Sequence, residues 1–392
     1  MKICDLTQFY SPLSGGVKRY VHEKIAYIES ETSDEHVLIV PGDRTEIERR
    51  ERSTIYRISS PLISRTAKYR ALLNLRAIGE IMAREKPDIV ESSDPYQIAW
   101  KAIASGKSIG FPVVGFYHSH FAEAYLRGAS KYVGNRGADM LMAFARSYVR
   151  NLYNRFAATL VPSPQLAEVL RTWGVRNVRP VSLGVNTEIF RADVADKLTT
   201  RAALAVPADR KLLLYVGRLA PEKNTTTLFD AFELLRAKTP EAFHLLVIGD
   251  GPDRKALETI VNTGAAVSWI PYCTDSRQLA RYYRAADLFV HPGVQETFGL
   301  VALESQACGT PVIGIRGSYM DRIILHDQSA WATENSPGAL AVAIEDAVTR
   351  DLAGMGAEGS RLATAQLAWP RVFDRLFSIY REVIAEYHSG SR

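Results

Sequence analysis

Cysteine is scarce in this chain: 392 residues hold three, Cys4, Cys273 and Cys308. They are scattered, without metal-ligand spacing, and read as small core residues of a protein kept in a reducing compartment, the cytoplasm. No run of 18 apolar residues occurs, so no membrane-spanning helix is expected. The opening MKICDLTQFY has too short an apolar stretch, and no small-residue cleavage site, for a signal peptide; it reads as a strand. A complete G-x-G-x-x-G is missing, which argues against an ordinary nicotinamide dehydrogenase. Internal repeats and low-complexity segments are missing too.

What is present is 47% hydrophobic residues and a mean hydropathy of −0.09, the balance of a globular protein of about two domains. The formal charge of +5 is unevenly placed: residues 1–184 carry 26 Lys and Arg against 18 Asp and Glu, and the remainder is slightly acidic. That asymmetry suits a domain meeting an anionic partner, and equally an Arg-rich solvated surface. Short apolar runs alternate with helical patterns, and the polar loops follow the runs. This is the pattern of two doubly wound Rossmann-like α/β domains facing a central cleft.

The richest segment is 287–314, DLFVHPGVQETFGLVALESQACGTPVIG. Leu288 to His291 reads as a buried strand closed by Pro292-Gly293. Leu300, Ala302, Leu303 and Ala307 give Thr297 to Ala307 helical spacing, Gly309 marks the stop, and Pro311 to Ile315 is the next strand. Glu296 lies in the loop before this helix and Glu304 about two turns later, roughly 12 Å on at the helical rise. That is too wide for two carboxylates acting on one bond; it suits one ligand whose hydroxyls are held at both ends. Between them, the free N–H groups at Phe298-Gly299-Leu300 suit an anion, and Gly299 allows close approach. A sugar nucleotide fits; taken alone, so does a surface helix with two solvated glutamates.

The whole string resembles the E-x7-E signature of the retaining glycosyltransferases of family 4 (glycosyltransferase group 1), which have the GT-B fold. The resemblance implies that Glu296 contacts the donor sugar and Glu304 the ribose. Upstream, Gly217-Arg-Leu-Ala-Pro-Glu-Lys-Asn224 follows the apolar KLLLYVG and is nearly the family's string. Arg218 offers a planar fork and Lys223 a mobile charge, a pair suited to a diphosphate whose leaving charge grows as the glycosidic bond breaks. Gly217, Gly249 and Gly251, after two such runs, are read as letting the nucleotide lie against the backbone. Near the N-terminus, SGGV resembles the family's glycine loop, so Gly15 and Gly16 are expected at the donor phosphate or the acceptor. FYHSHF resembles a segment whose histidine touches the donor sugar; that histidine corresponds to His118. His120 departs from the pattern and is placed on the acceptor side. Gly317 to Asp321 matches poorly.

SLGVNTEIF resembles the family's interdomain segment, which puts the boundary near residue 185. The expected domains are 1–184 for the acceptor, 185–368 for the nucleotide sugar, and a helix from Trp369 to Tyr387 within 369–392 that crosses back to the N-terminal domain. A helix is also expected over 67–86. Residues 127–156 hold Arg127, Lys131, Arg136, Arg146, Arg150 and Arg155 against Asp139, with Met140, Leu141, Phe144, Tyr148, Leu152 and Phe156 at helical spacing. A core-packed helix with a solvated basic face accounts for this; so does a face that docks on anionic lipid or glycan.

The resemblance implies transfer of a hexosyl unit, mannose or glucose, from a GDP- or UDP-sugar to a lipid or glycan hydroxyl, with an α linkage retained. No D-x-D is present and two cations already serve the diphosphate, so no obligatory metal or other cofactor is expected, and no nucleic-acid partner. The competing function is a non-catalytic nucleotide-sugar-binding protein on the same fold, which Glu296 and His118 disfavour.

Overall fold

The computed structural model describes residues 1–10, 15–63, 68–118, 121–264, 266–294 and 298–390, with the side chains of 121–135 and Tyr319 left aside. The chain forms two compact units, Met1–Leu183 with Trp369–Arg392, and Gly184–Ala368.

The first unit runs β1 (Lys2–Leu6), α1 (Gly16–Glu31), β2 (Glu35–Gly42), β3 (Glu46–Arg49), β4 (Ser53–Ser59), α2 (Leu75–Glu85), β5 (Ile89–Ser92), α3 (Gln97–Ile109), β6 (Val113–Phe116), α4 (Phe121–Tyr153), β7 (Ala158–Val161), α5 (Pro164–Thr172) and β8 (Val178–Pro180). Among the described residues its sheet has the order β3-β4-β2-β1-β5-β6-β7-β8. All pairs are parallel except β3–β4. The central strands are apolar almost throughout because helices cover both faces of a parallel sheet.

β3, with sequence EIER, has no strand-like signature. It is an edge strand held by charge: Arg57 on β4 reaches Glu46 and Glu48 at 2.9 Å each. A charged edge also discourages pairing with another chain. The helix expected over 67–86 begins only at Leu75. Asn74 caps it, accepting from the Ala77 N–H at 3.0 Å, and Arg70 instead bridges to Leu62.

The second unit runs α6 (Lys197–Ala203), β9 (Lys211–Val216), α7 (Thr225–Lys238), β10 (Phe243–Ile248), α8 (Arg254–Asn262), β11 (Val267–Ile270), α9 (Ser276–Ala285), β12 (Leu288–Val290), α10 (Leu300–Ala307), β13 (Val312–Ile313), α11 (Pro337–Val348) and α12 (Leu352–Leu367). Its parallel sheet has the order β11-β10-β9-β12-β13. α10 starts three residues later than its periodicity suggested. Gly299 takes the left-handed cap position at φ +81°, and any side chain there would meet the Met320 sulfur at 2.8 Å.

α13 (Trp369–Gly390) belongs to the first unit, where it packs on α1. Trp369, Val372, Phe373, Leu376, Phe377, Tyr380 and Val383 form its buried stripe. Beneath this contact lies a fully buried charge cluster. Lys24 of α1 sits 2.9 Å from Asp5 of β1 and 3.3 Å from Glu91 of β5. Its ammonium also donates to the Tyr380 hydroxyl at 3.1 Å. Tyr20 donates to Glu91 at 3.0 Å, Tyr380 also donates to Glu91, and His36 meets Asp5 at 2.7 Å. Four elements thus converge on one ammonium. Of the cysteines, Cys4 and Cys308 are buried as expected, but Cys273 is partly exposed.

Candidate active site

In the second unit, the loops beyond the carboxyl ends of β9, β10 and β12 are laced together. The Gly217 N–H donates to the Ile248 carbonyl, Leu219 N–H to the Asp250 carbonyl, and Asp253 N–H back to the Leu219 carbonyl, at 3.0–3.1 Å. The glycines explain how the loops come so close. Gly249 has φ +146°, and a Cβ there would lie 1.8 Å from the Gly217 carbonyl oxygen; one at Gly251 would lie 2.2 Å from that of Leu219. A Cβ on Gly217 would press on the Tyr215 hydroxyl at 2.9 Å, and that hydroxyl donates to the Arg218 carbonyl. At 249 and 251 the space a side chain would need is taken by the neighbouring loop.

Asn224, in a left-handed conformation at φ +51°, donates its amide to the Pro292 carbonyl at 3.1 Å. This pins the loop carrying Arg218 and Lys223 to the HPG loop after β12. Arg218 itself is exposed and lies 3.5 Å from Glu222. An exposed pair of this length contributes little, so the guanidinium can exchange it for a ligand's oxygens. Lys223 is half-buried on a single 3-10 turn. These three loops place Gly217, Arg218, Lys223, Gly249 and Gly251 around one end of the sheet.

α10 follows directly from the third loop. Phe298 and Gly299 are buried and Leu300 is half-buried at its start. Glu304, one turn on, is 2% exposed and accepts from the Tyr283 hydroxyl at 3.2 Å. Glu296 lies outside the described residues. Because the helix begins at Leu300, helical rise covers only the four residues to Glu304, roughly 6 Å.

In the first unit, Gly15 and Gly16 form the exposed start of α1, and a Cβ on Gly15 would meet nothing within 4 Å. His118 stands two residues past β6, half-buried. Its ring stacks on Phe116 at 3.9 Å and meets Tyr20 edge-on at 5.2 Å. Burial, and then the Lys24 ammonium, push its pKa down to about 3. The imidazole is therefore neutral at physiological pH, able to hydrogen-bond a hydroxyl without adding charge. His120 lies outside the described residues.

Sequence reasoning missed the Asp5–Lys24–Glu91 cluster and the Asn224–Pro292 pin. The first left a signal: Asp5 and Glu91 interrupt strands that otherwise read as buried, and a buried carboxylate requires a partner. The second had none, since one asparagine looks like any other turn residue.

The family model described as Glycosyl transferases group 1 matches residues 196–355, and that of Glycosyltransferase Family 4 matches residues 14–189. A GDP-mannose-dependent alpha-(1-6)-phosphatidylinositol dimannoside mannosyltransferase of Mycobacterium tuberculosis is 32% identical over 355 residues, covering 89% of this chain and 88% of the relative. A D-inositol 3-phosphate glycosyltransferase of Thermobispora bispora is 32% identical over 316 residues, 74% of this chain and 69% of the relative. Among solved structures, sucrose-phosphate synthase of Thermosynechococcus elongatus superposes with a TM-score of 0.76 at 22% identity, over 98% of this chain and 99% of that one. The fold is GT-B, and the chain belongs to the group 1 glycosyltransferases of family 4.

Proposed function

We propose that the protein transfers a mannosyl unit from GDP-mannose to a hydroxyl of a lipid-linked or glycan acceptor, with retention at the anomeric carbon. The observation that carries the donor assignment is the 32% identity, over 89% of this chain, to a GDP-mannose-dependent mannosyltransferase. The laced loops of the second unit supply the chemistry. Arg218 and Lys223 take the diphosphate and stabilise its charge as the sugar leaves through an oxocarbenium-like transition state. Glu296 holds the sugar and Glu304 the ribose. His118, kept neutral, contacts the sugar. The departing diphosphate helps to accept the acceptor's proton, so no protein nucleophile and no metal is required. The second unit is the donor domain and the first the acceptor domain.

A thermal-shift panel of GDP, UDP and ADP without metal tests the donor. A ligand that binds only the folded chain raises the melting temperature by mass action. GDP is expected to give the largest shift; equal shifts with all three, or none, would overturn the GDP assignment.

The acceptor reading extends to the membrane surface. On α4 the inward stripe is Val149, Leu152 and Tyr153, whereas Met140 and Phe144 are 72% and 73% exposed. The expected single apolar stripe is thus divided: its first part faces solvent, with the exposed Arg136 one turn before Met140. Arg146 lies 5.6 Å over the Trp173 ring. Among the described residues no helix is long and apolar enough to cross a membrane. An exposed apolar pair one turn apart, with an arginine one turn before it, suits shallow seating among anionic headgroups. The protein should sediment with phosphatidylglycerol vesicles at low salt and be released near 1 M salt, where the screening length falls to about 3 Å. Met140→Ser with Phe144→Ser should abolish sedimentation. Wild type left in the supernatant would sink the membrane reading.

A further inference from the structure

Tyr20 lies on the buried face of α1 with Val21, Lys24, Ile25 and Ile28, and is itself 0% exposed. A phenol at a wholly buried position needs a partner for its hydroxyl and close packing for its ring. The hydroxyl has Glu91 of β5, to which it donates at 3.0 Å. The Lys24 ammonium lies 4.5 Å over the ring, and Trp369 and Phe373 of α13 meet it at 6.1 and 5.9 Å. Those two rings are in turn stacked on one another at 5.0 Å. Tyr20 is thus gripped by α1's own next turn, by β5 and by α13.

The same ring meets His118. That residue stands in the loop after β6, its N–H returned to the Phe116 carbonyl at 3.1 Å. Phe116 stacks under the imidazole at 3.9 Å with 5° between the planes, and Tyr20 meets it at 5.2 Å and 65°. Phe116 and Tyr20 also meet each other, at 5.3 Å and 68°. The three rings form one closed set. A ring stacked on a single face can still slide and turn in its own plane; a second ring set steeply against it removes that freedom. Phe116 belongs to the same strand end as His118 and moves with it. Tyr20 belongs to another element and is tied to the buried charges and to α13, so it supplies the fixed reference.

We propose that Tyr20 is a positioning residue for the His118 imidazole: clamped by Glu91, Lys24, Trp369 and Phe373, it fixes the angle at which His118 meets a ligand. That this ligand is the donor sugar rests on the transfer reading above; the clamp does not. Through Tyr20, the C-terminal helix bears on the loop after β6, and the buried charge cluster serves the geometry of a site as well as the stability of the unit. A group held at a set angle before the ligand arrives acts on the transition state more than on ground-state binding, so its loss should appear in kcat rather than in KM.

A double-mutant cycle on the full chain tests this, read as release of GDP from GDP-mannose with phosphatidylinositol vesicles as acceptor. Tyr20→Leu keeps an apolar side chain but removes the ring; it should lower kcat about tenfold to a hundredfold and leave KM for GDP-mannose within about twofold. Tyr20→Phe keeps the ring, is less open to misfolding, and should stay within about fivefold of wild type, having lost one hydrogen bond. In a His118→Ala background, Tyr20→Leu should cost less than about twofold, because nothing remains to be positioned. Wild-type kcat in Tyr20→Leu, or losses that multiply in the double variant, would overturn the proposal. A chain that turns over no GDP-mannose, or a His118→Ala variant as fast as wild type, would refute the role of His118 in transfer, and the clamp is then read directly. With 13C-labelled histidine, the His118 resonance should broaden or split in Tyr20→Leu and stay a single line in Tyr20→Phe. A line as sharp as that of wild type in Tyr20→Leu would overturn the clamp itself.

Discussion

Lys24→Met is expected to destabilise the N-terminal unit by about 3–5 kcal/mol, the range for removing one partner of a buried ion pair. The ammonium is fully buried against two carboxylates, at 2.9 Å and 3.3 Å. Methionine fills similar volume, so packing changes little; what is lost is the charge that compensates Asp5 and Glu91. Calorimetry of the full chain should show the transition of this unit falling by on the order of 10 °C. The effect should depend on pH with a definite sign. In the wild type, burial raises Glu91 to about 7, and Lys24 with His36 lowers Asp5 to about 2. Asp5's contribution is complete above its unfolded value and fades as pH falls toward 2. Glu91 binds its proton more tightly folded than unfolded, so its ionisation erodes stability as pH rises from about 4.5 to 7. Without Lys24 that erosion deepens, so the deficit of the variant should shrink between pH 7 and pH 5. Adding Glu91→Gln, which removes one uncompensated charge, should recover part of the loss. A variant as stable as wild type at pH 7 would show that the cluster is not held by its charges.

Arg218→Ala with Lys223→Ala is expected to lower kcat/KM for GDP-mannose by about a thousandfold or more, since removing one preorganised donor to a developing negative charge commonly costs about 10²–10³ in rate. Both cations sit on a loop fixed by the Asn224–Pro292 bond and by the hydrogen bonds to the loop after β10. Their positions are therefore set before the nucleotide arrives. GDP affinity should fall as well, but less than turnover, because the diphosphate carries its greatest charge after the bond has broken. Arg218→Lys should recover affinity better than rate: the charge returns, the two-pronged fork does not. Near-normal turnover in the double variant would remove the diphosphate from this loop.

Both predictions rest on features that differ in how far they can be read from residues alone. The strands were legible because a parallel sheet buried on both faces demands unbroken apolar runs, as in HVLIV and KLLLYV. The Arg218–Lys223 loop was singled out by its resemblance to the family's string, since charges after such a run, taken alone, read as a solvated loop. Element edges were less so. The helix at 75 starts where Asn74 takes the first N–H groups, and α10 starts where Gly299 can adopt a positive φ. Both are decisions of single residues that periodicity averages away. The charged edge strand β3 depends on Arg57 of the next strand, and the outward turn of Met140 and Phe144 on what the rest of the unit leaves uncovered; neither shows in an apolar pattern. The glycines at 249 and 251 were recognised as necessary, yet the surface they must admit is a neighbouring loop.

The Tyr380 hydroxyl reaches Lys24, 356 residues earlier in the chain, and Glu91, 289 residues earlier. On the ribosome, this fixes an order of events. Asp5 of β1, Lys24 of α1 and Glu91 of β5 emerge early, but Tyr380, which closes the cluster, follows the whole second unit. The unit Gly184–Ala368 lies wholly between and is complete before its predecessor. Of these two units the first to begin is therefore the second to be finished, and its apolar face on α1 waits for α13 to be made.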